Sequence, residues 1–180
     1  MAAGDFHVNG PTKIYWGPGW VATNTDLDEL GRTDNDDLVR ITGRDHYRTF
    51  SRNDLGDMIA EAVTAGTTYT IDFTMVSWDQ TEVNTLLKKC RQGNITSPAI
   101  ADEGVVATIG GSVVTGGTRT VTIRIVPETT GSTIYKFHAM LSAGPEYMDM
   151  GNTVKRIALS FTSVADGTNA PLTTSAVSAT

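Results

Sequence analysis

A single cysteine, Cys90, occurs in the 180 residues. An internal disulfide is therefore excluded, and so is a cysteine-built zinc site within one copy. Basic residues are also short: 14 Lys and Arg face 20 Asp and Glu, for a formal charge of −6. This balance lacks the basic footprint of a nucleic-acid binder, and an acidic surface repels DNA and RNA. No apolar run approaches the roughly 20 residues that span a bilayer, so membrane insertion is not expected. The opening MAAGDFHVNGP has neither the basic nor the apolar region of a secretory signal. GxSxG elbows and phosphate-loop patterns are missing. His7, His46 and His138 have no local zinc spacing. No catalytic residue, metal site or cofactor is therefore expected, and the chain reads as non-enzymatic.

What is abundant is Thr and Gly, with 18 copies of the latter. Branched Thr favours strands and Gly supplies turns and bulges. Residues 12–16 (TKIYW) form a strand candidate closed by Gly17-Pro18-Gly19. Asp26 to Asp37 reads as an exposed acidic loop. Leu38 to Thr42 alternates as a strand, Gly43 opens a turn, and His46 to Phe50 pair back. Residues 51–66 fit either one or two helical turns or the tip of a long hairpin. Thr67 to Val76 is the clearest strand: Tyr69, Ile71, Phe73 and Met75 share one face, and Thr68, Thr70, Asp72 and Thr74 the other. Ser77 and Gln80 match a capping box, and Val83, Leu86, Leu87 and Cys90 then recur at helical spacing. Lys88, Lys89 and Arg91 suit that helix's C-terminal end, and Gly93 stops it. Further strands are expected at Val105 to Ile109, Thr118 to Val126, Thr133 to Leu141 and Val154 to Phe161. The expected fold is mostly β, a β-sandwich or barrel with one flanking α-helix and a long loop between early strands. Residues 1–165 form its single domain, and 166–180 a flexible C-terminal tail.

Three clusters invite a chemical reading. The acids Asp26, Asp28, Glu29, Asp34, Asp36 and Asp37 imitate only the start of a calcium loop, so a solvated loop is the expectation, with an acidic surface that repels passing nucleic acid and a bound cation as alternatives. Tyr15, Trp16 and Trp20 could stack sugars or bases, or anchor a subunit boundary. Arg40, Arg44, Arg48 and Arg52 recur every four residues and are expected to pair with acids within or between subunits.

Taken in order, these features resemble the major tail tube proteins of long-tailed bacteriophages, relatives in fold of contractile-tail and type VI secretion tubes. The resemblance rests on the strand LVRITG, the polar stretch Asn53-Asp54-Leu55-Gly56, the alternating strand TTYTIDFTMVSWD running directly into the helix QTEVNTLLKKC, and the closing VKRIALSFTSVADG. It implies a virion structural protein, assembled in the host cytoplasm, whose hexameric rings stack into a tube through which the genome passes. Partners would be copies of itself, the terminator, tape measure and tail-tip proteins, and DNA passing without specific binding. Thr68, Thr70, Asp72 and Thr74 would face the lumen, in a sheet of Thr67 to Val76 and Thr118 to Val126. Residues 43–66, with Asn53, Asp54, Leu55 and Gly56, would contact the adjacent ring. Arg119 and Arg124 do not suit such a lumen. Alternatives are another virion component, such as a tail terminator or head–tail joining protein, and a sugar-binding β-sandwich module.

Overall fold

A computed structural model describes residues 5–8, 10–34, 39–51, 59–92, 119–129, 132–143, 148–149, 156–165 and 170–176. Its strands are β1 (Asp5–Val8), β2 (Thr12–Pro18), β3 (Asp28–Arg32), β4 (Val39–Ser51), β5 (Ile59–Met75), β6 (Ser77–Trp78), β7 (Val121–Pro127), β8 (Thr133–Ala143), β9 (Met148–Asp149), β10 (Arg156–Ser163) and β11 (Leu172–Ala176). One helix, α1 (Gln80–Gln92), follows β6. All pairings are antiparallel, in the order β1-β4-β5-β10-β8-β7-β2-β3-β6, with β11 on β8 and β9 on β10. The fold is thus mostly β with one flanking helix, and its sheet does not close into a barrel. It does curl. β6 follows β5 after one residue yet pairs with β3, and the Val76 N–H donates to Arg32 O at 2.9 Å.

Alternation explains the core. Ile71, Phe73 and Met75 of β5 meet Ile157, Leu159 and Phe161 of β10, and the rings of Phe73 and Phe161 stack at 5.8 Å. Val121, Ile123 and Ile125 of β7 and Ile14 and Trp16 of β2 extend the same layer. The helix lies on β2, β3 and β7. Val83 and Leu86 are fully buried, which stabilises its docking by about 3–6 kcal/mol before side-chain entropy is subtracted. Trp16 Nε1 donates to Glu82 Oε2 at 3.0 Å, a polar tie between helix and sheet.

Several local expectations are corrected. The helix is capped by Asp79, whose Oδ1 accepts from the N–H groups of Thr81 (2.8 Å) and Glu82 (3.2 Å). Ser77 cannot cap because it lies in β6, paired with Arg32. The acidic stretch is not all loop. Asp28–Arg32 is a strand because Leu30 and Gly31 turn inward between β2 and β6, leaving Asp28 and Glu29 exposed. β4 runs straight through Gly43 instead of turning there. The Tyr69 ring occupies the space above Gly43, where a Cβ would stand 3.3 Å from it. Part of the segment expected as a flexible tail, Leu172–Ala176, is β11, paired with β8. The expected strand at 105–109 and the helix stop at Gly93 lie outside the described residues.

Candidate assembly surface

The long connection expected between the early strands is itself largely strand. β4 and β5 pair from Arg40↔Asp72 out to Ser51↔Ile59. β1 covers β4 only from Val39 to Thr42, and β10 covers β5 only from Thr70 to Met75. Beyond those points the two strands form a ribbon whose outer edges have no strand partner among the described residues. At 17 residues β5 is about 56 Å long, whereas a compact chain of this size has a radius of gyration of about 16 Å and spans about 40 Å. Among the described residues, this part of the ribbon is held in the sheet only by the pairing of β4 with β5. On it Arg44, His46, Arg48 and Thr49 are exposed, and Tyr47 is 52% exposed. Asn53, Asp54, Leu55 and Gly56 lie outside the described residues, as does Arg52.

The ribbon's root carries the polar face singled out by alternation. Thr68, Thr70, Asp72 and Thr74 all lie on the side of β5 away from the core and are half-buried. Register places them in rows: Arg40, Asp72 and Ser160; Thr42, Thr70 and Thr162; Arg44 beside Thr68. The Oγ atoms of Ser142 and Ser160 lie 3.2 Å apart and carry the face on to β8. The result is a small-residue, hydroxyl-rich surface with Arg40 set against Asp72 and Arg44 toward the ribbon.

On β7 the corresponding side is closed. Thr120 and Thr122 are completely buried because residues 19–26 fold back over β7 and β8. The Thr122 hydroxyl donates to Gly19 O (2.7 Å) and accepts from the Val21 N–H (2.9 Å). Gly19 N–H donates to Thr120 O at 2.9 Å. From β8, Lys136 Nζ donates to Ala22 O (2.8 Å) and Asn24 Oδ1 (3.4 Å), and stands 5.2 Å from the Trp20 ring centre. The Trp20 ring meets His138 edge-on at 5.8 Å. Burial, then the charge of Arg124, holds the Lys136 ammonium below its ordinary pKa. The expected lumen strands are therefore not equivalent: β5 presents an open polar face, and β7 is covered by this strap. Nothing in the chain's periodicity marks the strap, whose partners are about a hundred residues away in sequence.

The three aromatics diverge. Trp16 is buried in the core, Tyr15 faces the other way under Arg124 at 5.7 Å, and Trp20 lies in the strap. They do not form a common stacking platform. Arg40, Arg44 and Arg48 are all exposed on β4. Arg119 is half-buried just before β7. Arg32 Nη2 and Glu128 Oε1 pair at 3.4 Å at the surface. Among the described residues no three His, Cys, Asp or Glu side chains gather to hold a metal ion, and no helix is long and apolar enough to cross a membrane. His46 bonds Thr68 Oγ1 through Nε2 at 2.9 Å, and His138 is 2% exposed. Comparison with protein-family models and with curated proteins gives no match for this chain.

Proposed function

We propose that this chain is a structural subunit that assembles with copies of itself into hexameric rings stacked as a tube of the phage-tail kind, a conduit for genome delivery. The observation that carries this reading is the long β4–β5 ribbon, whose outer edges have no strand partner among the described residues. A two-stranded ribbon is marginal in water, and edges without a strand partner among the described residues can recruit further strands. Such an element is stable when a neighbouring copy covers it. Head-to-tail burial of one surface on a different surface of the next copy generates rings or filaments. The open Thr face of β5 supports the conduit part of the proposal. Short hydroxyl side chains keep a wall wet, and Asp72 stands opposite Arg40 in it, while Arg44 lies at the ribbon end of the face. Terminator, tape measure and tail-tip proteins would be its neighbours in the virion.

Sedimentation velocity across a concentration series, with negative-stain images of the same samples, tests the reading. Rings that stack into hollow tubes are expected. A monomer at every concentration would refute self-assembly. A closed ring that never stacks would move the chain to a terminator or joining role.

A further inference from the structure

At its root the ribbon is firmly braced. The Tyr69 N–H donates to Ser163 Oγ at 2.8 Å, and its ring covers Gly43. Across the ribbon, Thr67 Oγ1 donates to Asp45 Oδ1 at 2.7 Å, and His46 Nε2 bonds Thr68 Oγ1 at 2.9 Å. Immediately beyond these ties the register breaks. His46 pairs with Gly66 and Tyr47 with Thr64, so Ala65 is an extra residue. Gly66 has φ +123°, a backbone conformation that L side chains rarely adopt. An extra residue of this kind bends a strand and sharpens its twist.

The sheet shows where that bend leads. β10 and β11 follow one another along the same side of β8, with Ser163 opposite Ala139 and Leu172 opposite Phe137. β5 pairs with β10 as far as Thr70. Continued straight, β5 would run on beside β11, antiparallel to it, with residues 63–67 alongside Leu172–Ala176. Instead, among the described residues, β11 is paired with β8 alone. The ribbon has left the plane of the sheet, and two complementary backbone edges diverge as a fork.

We infer that the Ala65–Gly66 bulge is an elbow that turns the ribbon out of the sheet and sets the angle at which one copy presents it to the next. The role in assembly rests on the function proposed above; the elbow itself is a property of the single chain. β5 already parts from β10 beyond Thr70, and the bulge keeps residues 63–66 from running on beside β11.

Gly66→Ala is a clean test. No atom lies within 4 Å of a Cβ at this position, so the variant disturbs no packing and penalises only the backbone conformation. Thr49 and Thr174 are exposed and suit spin labels placed through Thr49→Cys and Thr174→Cys, with buried Cys90 replaced by Ala. The pulsed dipolar distance between them should shorten in Gly66→Ala. The unlabelled variant's assembly threshold should rise by about tenfold or more. If Gly66→Ala fails to fold, deletion of Ala65, which removes this register shift, should shorten the same distance. An unchanged distance in a folded variant overturns the elbow. A wild type that never assembles refutes the proposed function, while the distance still decides the elbow. A shortened distance with an unchanged threshold overturns the elbow's role in assembly.

Discussion

Thr122→Val removes one hydroxyl and keeps the side chain's shape. That hydroxyl makes two bonds, donating to Gly19 O at 2.7 Å and accepting from the Val21 N–H at 2.9 Å, and Thr122 is completely buried. Each lost bond is worth about 1 kcal/mol net, and each buried group left without a partner costs about 1–3 kcal/mol. A strap that stays in place would leave both groups unpartnered and cost the fold about 2–6 kcal/mol. It has an alternative, because Trp20 and Val21 are only half-buried and residues 22–26 are exposed. Lifting the strap rehydrates Gly19 and Val21, so the observed loss cannot exceed the free energy of local opening. Urea unfolding measures the total, and hydrogen exchange at the Gly19 and Val21 amides separates the two routes. A loss of at least about 1 kcal/mol is expected, with much faster exchange at those amides than in β5. Thr122→Ser keeps the hydroxyl and should recover the protection. Wild-type stability together with unchanged exchange in Thr122→Val would refute the claim that this side chain ties the strap down.

Two further substitutions bear on the fold. Gly31→Ala places a methyl group against the Ser77 carbonyl oxygen, with Met75 Sδ and the Trp78 Cα each 2.9 Å away. Backbone contacts cannot yield as a flexible side chain can, so a loss of about 3 kcal/mol or separation of β6 from β3 is expected in thermal melts. Lys136 carries a pH dependence of definite sign. Burial and Arg124 lower its native pKa from 10.5, so above that lowered value the unfolded chain binds more protons than the folded one. The cost of the buried charge is complete below the native pKa and is relieved as pH rises from there to 10.5. Urea midpoints of wild type should therefore gain on those of Lys136→Met across the alkaline range, and parallel curves would contradict this.

The sequence made the central sheet and the helix legible because their burial follows a simple period. β5, β7, β8 and β10 each place branched or aromatic side chains on alternate positions, and α1 shows the recurrence of Val83, Leu86 and Cys90. What stayed hidden depends on partners distant in the chain. β3 looks like an acidic loop because Asp28 and Glu29 are exposed, and only its pairing with β2 and β6 buries Leu30. β11 has a run of Thr and Ser after Leu172, so backbone bonding to β8 carries it with only Leu172 packed against the core. The cap fell to Asp79 because β6 claims Ser77. At the candidate surface, alternation gave the row Thr68, Thr70, Asp72 and Thr74 correctly as one face of one strand. It gave no hint that residues 19–26 cover the matching side of β7. That cover depends on Lys136, Thr122 and Trp20, which no local pattern joins.

The central claim is that copies of this chain build a hollow tube with the β5 Thr row facing inward and the β4–β5 ribbon buried against a neighbour. A cryo-electron microscopy reconstruction of the assembled protein tests both parts in one map. The account predicts Thr68, Thr70, Asp72 and Thr74 on the wall of a central channel, and residues 43–51 and 59–66 in contact with another copy. A tube with that row packed between subunits and the ribbon free in solvent would contradict it.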